Sequence, residues 1–190
     1  MIETLAKLDE ELFLFLNGLH TPFWDTVMYY VSERYTWVPF YLFLIFLVYK
    51  ARKRESLLII FCLIIAVSIA DQVTSGFMKP FFMRFRPCQD PTIRDLVHIV
   101  NDHCGGRYGF ASSHSSTTFA LAASVFMFLR HHYRFIFLIF LWAATVAYSR
   151  VYLGVHYPGD IIVGGFLGVI IGILVYIGYK GAVKKFRKQE

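Results

Sequence analysis

Residues 134–179, RFIFLIFLWAATVAYSRVYLGVHYPGDIIVGGFLGVIIGILVYIGY, are two apolar runs interrupted once, at SRVYLGVHYPGD (149–160). The interruption sets Arg150, His156 and Asp160 at the edge of oil. A bilayer core about 30 Å thick is crossed by about 20 residues of α-helix. The runs 134–152 and 158–179 have that length, so the stretch reads as two membrane helices joined by a short polar turn. The rest of the chain suits the same medium. Of its 190 residues 57% are hydrophobic and 18% aromatic, more apolar surface than polar side chains can cover in water.

Three further apolar segments, 35–50, 56–78 and 113–130, complete the expected fold class: all-α, a polytopic membrane helical bundle with five transmembrane helices. Residues 1–34 read as an N-terminal amphipathic segment lying in the interface, because 8–32 contain Asp25 and two turn-like points, Asn17-Gly18 and Thr21-Pro22. A sixth span over that segment is the alternative. Asp9, Glu10 and Glu11 stand just before the first apolar run, and the segment has no small-residue cleavage site, so it makes a poor signal peptide. With no internal repeat and no Pro/Ser-rich linker, 1–190 reads as a single membrane-embedded domain.

The net charge of +6 is not that of a nucleic-acid binder, because the cations fall in short clusters beside apolar runs. Lys50, Arg52, Lys53 and Arg54 lie between the first two spans and Arg130 and Arg134 between the third and fourth. Lys180, Lys184, Lys185, Arg187 and Lys188 follow the fifth. Alternate helix ends are therefore basic and should be cytoplasmic, with the C-terminus inside. The expected location is a bacterial inner membrane, with the 79–112 loop and the 149–158 turn on the external, periplasmic face.

The external segments also carry KPFFMRFRP (79–87) and ASSHSS (111–116). Lys79, Arg86 and Arg150 are three fixed cations suited to a dianionic phosphoryl group, the arginines by a planar fork of donors and the lysine as a point charge. Helices are expected to start near Ser113 and at Pro158, and their unpaired N–H groups would add to an anion cradle. Ser112 and Ser113 offer hydroxyl and backbone donors. His156 can attack phosphorus as a neutral imidazole while His114 protonates the leaving group. Asp160, four residues beyond His156, is placed to hold the proton on its other ring nitrogen. A divalent metal would be repelled by the three cations, so neither metal nor other cofactor is expected.

These residues resemble the type 2 phosphatidic acid phosphatases, which share their active-site design with bacterial acid phosphatases and vanadium haloperoxidases. Lys79 to Arg86-Pro87 matches the family's Lys-x6-Arg-Pro, and Ser149-Arg150 to His156 to Asp160 matches Ser-Arg-x5-His-x3-Asp at full spacing. The resemblance covers roughly 56–175 and implies a helical membrane enzyme with a phosphohistidine intermediate. It carries the same roles onto His156, His114 and Asp160. Ala111-Ser112-Ser113-His114 departs from the family's Pro-Ser-Gly-His, placing a side chain where a glycine lets backbone approach phosphate. Among the substrates that the resemblance allows, a short chain with an external site favours undecaprenyl diphosphate. The alternatives are a lipid A or glycerophospholipid phosphatase, a lipid phosphotransferase, or a non-catalytic lipid binder. Nothing in the sequence sets an oligomeric state.

Other polar residues have plainer readings. Arg84, Arg94 and Arg107 are extra external cations that would reach a second phosphate, diluted by Asp90, Asp95 and Asp102. Taken singly, Lys79 or Arg84 is a snorkelling anchor and Ser113 a helix cap. Asp71 reads as structural, bonded within the bundle. His98 and His103 read as solvated, and His131 and His132 fall on the cytoplasmic side. Gly164, Gly165, Gly168 and Gly172 allow close helix packing and a groove for lipid chains. Cys88 and Cys104 share the external loop, where a disulfide is chemically permitted and would brace it.

Overall fold

The computed structural model describes residues 2–187, so Lys188 of the basic C-terminal cluster lies outside the described residues. Regular structure among them is helical, apart from one isolated antiparallel bridge between Phe85 and Tyr108. The α-helices are α1 (Ile2–Asn17), α2 (Pro22–Ser32), α3 (Val38–Arg52), α4 (Ser56–Asp71), α5 (Lys79–Phe82), α6 (Ser113–Leu129), α7 (Ile139–Tyr152) and α8 (Pro158–Arg187). A π-helical stretch, Gln72–Met78, joins α4 to α5 without a break. Helices therefore occupy all five expected spans. The runs Arg34–Phe82 and Pro158–Lys185 are long and apolar enough to cross a membrane, and Ile136–Tyr152 is a shorter apolar helix. Within the first run the chain reverses at Lys53, whose φ of 37° ends α3, and α4 packs back against it.

α6 is the centre of the bundle, packed by α4, α7 and most extensively by α8. Small residues set that last contact. A Cβ on Gly168 would come 2.8 Å from the backbone nitrogen of Ala120, and one on Gly172 would come 2.7 Å from the Ala120 carbonyl oxygen. The glycines thus bring two helix backbones together, with α6 filling the space beside Gly164, Gly168 and Gly172. Gly165 alone of the four also borders an apolar groove, of about 480 Å³, between α6, α7 and α8. Large apolar side chains such as Leu42, Phe46, Phe61, Ile64, Phe166, Ile170 and Leu174 point outward, a distribution that suits lipid and not water.

The basic helix ends gather at one end of the bundle. There Tyr179 on α8 donates to Glu55 (2.9 Å), which also pairs with Arg52, and the Tyr133 hydroxyl donates to the Leu47 carbonyl (3.2 Å). The motif-bearing segments gather at the other end. The N-terminal residues divide into α1 and α2 where Asn17-Gly18 and Thr21-Pro22 were read as turns, with Thr21 accepting from the Trp24 N–H (3.3 Å) as cap. α1 is docked on the α7–α8 junction: Phe13 packs edge-on to Tyr157 (5.3 Å), and the Asn17 amide donates to the carbonyls of Tyr152 (2.8 Å) and His98 (3.0 Å). Its other face shows Leu5, Leu8, Leu12 and Phe15 to the surroundings.

Gly168→Val is expected to cost about 3 kcal/mol or more by forcing α6 and α8 apart. The same change at Gly178, where no atom lies within 4 Å of a built Cβ, should be near neutral. Thermal unfolding of the two variants in detergent checks the contrast.

Candidate functional site

The first motif owes its shape to one left-handed residue and one proline. α5 ends at Met83 (φ 48°), which turns the chain out of the helix after Lys79 has been left on its inner face. Pro87 then holds Arg86 extended (φ −71°, ψ 152°), because a residue before proline is excluded from the helical region. Arg86 N–H donates to the Arg107 carbonyl (3.1 Å) and Gly109 N–H to the Arg84 carbonyl (2.9 Å), which draws the second motif alongside the first. A Cβ at Gly109 would lie 3.0 Å from Asp160 Oδ2 and 3.2 Å from Arg86 Cγ, so this glycine admits the two motifs to the third.

The third motif is a tight turn. Gly154 (φ 76°) makes the reversal, and a Cβ there would meet the His98 carbonyl oxygen at 2.6 Å. The Arg150 carbonyl then accepts from both Val155 (3.1 Å) and His156 (3.2 Å), which fixes His156 beside the end of α7. Pro158 opens α8, and Asp160 one turn in reaches back. Its Oδ2 accepts from the Tyr157 N–H (3.1 Å) and lies 3.2 Å from His156 Nδ1. The carboxylate places the proton on Nδ1, leaving Nε2 with its lone pair, 3.5 Å from Arg86 Nη1. Burial, reinforced by Arg86, Arg150, Lys79 and Arg84, holds His156 well below the usual histidine range, so the ring is neutral.

Lys79 is stationed by a directional chain of hydroxyls. Its ammonium donates to Ser113 Oγ (2.7 Å), and Ser113 Oγ lies 2.7 Å from Ser75 Oγ, which donates to Asp71 Oδ1 (3.0 Å). Ser75 has one proton and spends it on Asp71, so the Ser113 hydroxyl must donate to Ser75 and accept from Lys79. Asp71, read as structural, thus supports the site through two serines. The Ser113 side chain occupies the family's glycine position as a holder of Lys79.

Arg86 is buried and Arg150 half-buried, and the Nε of each is shut off from solvent with no hydrogen-bond partner among the described residues. Buried donors are rarely left so, and here both belong to the residues expected to bind phosphate. Arg150 Nη1 also donates to Ser32 Oγ. A mostly polar cavity of about 370 Å³ opens here, bordered by Ser32, Glu33, Arg34, His103, His114 and Arg150. His114 therefore faces the same space as Arg150, one residue into α6.

Lys79, Arg86, Ser113, Arg150, His114, His156 and Asp160 are thus brought to one end of the bundle. Ser112 differs from its expected use. It is wholly buried, its hydroxyl caps α6 by accepting from the Ser115 N–H (3.5 Å), and its own N–H donates to the Asp160 carbonyl (3.0 Å). That backbone donor ties α6 to α8 and is not presented to a ligand. Arg84 is no second-phosphate cation either, being bonded to Asp160 (2.9 Å) and Asp9 (2.8 Å). Arg94 pairs with Asp95 at the surface, and Arg107 lies over the Phe85 ring (5.0 Å).

Of the two loop histidines, His103 is exposed as expected, at the border of the cavity, whereas His98 lies 3.1 Å from Asp25 and stacks on His20. His20, Asp25 and His98 hold ligand atoms within 4.8 Å of one another, but the two rings are parallel (5°) at 3.6 Å. Their in-plane lone pairs cannot converge on one ion in that stack. Cys88 and Cys104 form a disulfide (Cα–Cα 5.9 Å) that closes the loop between α5 and α6. Sequence spacing carried no signal for Asp9, Ser75, Arg34 or His103. A glycine at 109 beside the second motif was the one cue available for the crowding at Asp160.

Comparison with known proteins agrees with this geometry. The sequence model of the PAP2 superfamily matches residues 55–184. A protein of Bacteroides thetaiotaomicron named lipid A 4′-phosphatase is 38% identical over 93% of this chain and 79% of its own length. One of the same name from Porphyromonas gingivalis is 40% identical over 94% and 75%. The crystal structure of the PAP2-type phosphatidylglycerolphosphate phosphatase of Bacillus subtilis superposes with a TM-score of 0.70 at 23% identity, covering 96% of this chain and 89% of that one. The chain belongs to the PAP2 superfamily and is a membrane lipid phosphatase of it.

If Ser113 stations Lys79, Ser113→Gly should weaken binding of inorganic phosphate about fivefold, the loss of roughly one hydrogen bond. Isothermal titration of the purified protein reads this directly; unchanged affinity would mean that Lys79 needs no such support.

Proposed function

We propose that this PAP2 superfamily member hydrolyses a phosphate monoester on the sugar headgroup of a lipid A-type glycolipid, at the external face of the membrane, through a phosphohistidine on His156. The observation that carries the chemistry is the pair of buried, unpartnered guanidinium nitrogens on Arg86 and Arg150, with Arg86 Nη1 3.5 Å from the lone-pair nitrogen of a neutral His156 and Lys79 among the cations whose charge the ring feels. Such donors are satisfied by phosphoryl oxygens and strengthen as charge builds on them in the transition state.

His156 Nε2 forms a bond to phosphorus while the ester P–O bond breaks, and Asp160 holds the imidazolium that results. His114 gives its proton to the departing sugar oxygen. The arriving dianion supplies the negative charge beside which a protonated His114 is stable. In the second half, water attacks phosphorus and passes a proton to His114. The N–P bond breaks, its electrons return to Nε2, and inorganic phosphate leaves. The three fixed cations supply the charge that a metal ion would otherwise bring, so no cofactor is required.

The substrate class rests on the two relatives named lipid A 4′-phosphatase, which reverses the order expected from the sequence, where the isoprenoid diphosphate came first. The cavity supports the change. Glu33 is an acceptor, and Ser32, Arg34 and His103 are donors, set beside His114 where hydroxyls of a sugar would need partners. External sidedness is supported by the basic residues at the opposite end of the bundle from the site.

In detergent with EDTA, the purified protein should release phosphate from lipid A faster than from undecaprenyl diphosphate, phosphatidylglycerophosphate or phosphatidic acid. His156→Ala should abolish release, and His114→Ala should slow it about 10²- to 10⁴-fold. A dependence on added divalent metal, or His156→Ala with near-normal turnover, contradicts the mechanism. A preference for undecaprenyl diphosphate contradicts the substrate class alone.

A further inference from the structure

Asp160 has two carboxylate oxygens and no contact with solvent. Oδ2 is taken by His156 and Tyr157, as described above. Oδ1 is taken by Arg84 Nη1 at 2.9 Å. The guanidinium is itself held on three sides. Its Nη2 donates to Asp9 Oδ2 (2.8 Å), its face lies over the Tyr157 ring (4.1 Å), and the Tyr157 hydroxyl is anchored on Asp90 (3.1 Å). Asp9 comes from α1, and its second oxygen accepts from the Gly159 N–H (2.7 Å) at the start of α8. A Cβ at Gly159 would lie 2.7 Å from Asp9 Oδ2, so the glycine is what lets the carboxylate in.

These contacts assign Arg84 a place on the Asp160 side of His156. Arg86, not Arg84, stands at the lone-pair nitrogen, and both ends of the Arg84 fork are occupied by carboxylates. Burial works against a charged guanidinium, but Asp160 and Asp9 more than offset it and hold Arg84 above the ordinary arginine range. Removing Arg84 would leave a buried carboxylate with one oxygen unpaired, at a terminal torsion that is intrinsically broad. The Nδ1 contact then loses its fixed direction.

We propose that Arg84 and Asp9 are positioning residues for the phosphatase reaction. A charged chain from Asp9 through Arg84 to Asp160 makes docking of the N-terminal helix α1 set the orientation and tautomer of His156. This rests on the phosphatase reading with His156 as the reacting group, but the tautomer it concerns is observable without turnover.

The test uses the full-length protein in detergent micelles, labelled with ¹⁵N-histidine, with the His156 ring nitrogens identified by their loss in His156→Ala. Wild type should show one tautomer, protonated at Nδ1. Arg84→Gln should show mixed tautomers or exchange broadening, and Arg84→Lys, which keeps the charge, should be intermediate. In parallel, kcat on lipid A should fall more than tenfold in Arg84→Gln, with KM within twofold of wild type. Asp9→Asn should show a smaller fall, and the double variant should be no slower than Arg84→Gln alone. An unchanged His156 signature in Arg84→Gln overturns the proposal, whether or not any lipid is hydrolysed. So does a raised KM at normal kcat, which would make Arg84 a substrate ligand, and so does an additive loss in the double variant. A wild type with the expected signature but no phosphate release would sink the functional reading and leave the positioning chain standing.

Discussion

A single buried carboxylate, Asp160, ties the active end of this protein together. Its side chain binds the His156 ring, the Tyr157 N–H and Arg84, and its backbone carbonyl accepts from Ser112 at the head of α6. Through those bonds the residue joins α6, α8, the Arg84–Arg86 segment and, by way of Asp9, helix α1. An ionised group so deeply buried is tolerated only when each of its oxygens is matched, and here both are. The arrangement also explains Gly109 and Gly159, positions where any side chain would crowd Asp160 or Asp9.

Opposite that carboxylate, across the His156 ring, the charge balance reverses. Arg86 Nη1 lies 3.5 Å from the lone-pair nitrogen, and the charges of Arg150 and Lys79 also act on the ring. Each is held by a different device: Lys79 by the two-serine chain to Asp71, Arg86 by its proline and the 84–109 pairing, Arg150 by Ser32 and the Gly154 turn. Such an arrangement suits the proposed phosphoryl group, because the donors are already in place before it arrives.

Much of the fold was legible because membrane helices announce themselves by length and apolarity. All five expected spans are helical, and the breaks at Asn17-Gly18, Thr21-Pro22 and Pro158 fall where local chemistry put them. The three motifs were legible because fixed spacing holds each set of residues together in the chain, as with Arg150, His156 and Asp160 in one turn. What stayed hidden depends on pairing across long separations. Arg84 meets Asp9 at 75 residues' distance and Asp160 at 76, and Ser75 meets Ser113 at 38, with no periodicity to betray them. Arg84 looked like a spare cation for a second phosphate, and Ser112 like a phosphate donor, because charge and donor count are visible in sequence while their partners are not. His98 looked solvated for the same reason, yet it meets Asp25 at 3.1 Å and stacks on His20.

The central claim is that His156 itself becomes phosphorylated. Rapid mixing of the protein with ³²P-labelled lipid A, followed by alkaline quench and proteolysis, should yield a labelled peptide containing residue 156. The label should be stable to base, lost in acid and absent from the His156→Ala variant. A turnover-competent protein that yields no labelled enzyme under conditions that slow the water step, or a label that persists without His156, would contradict the account.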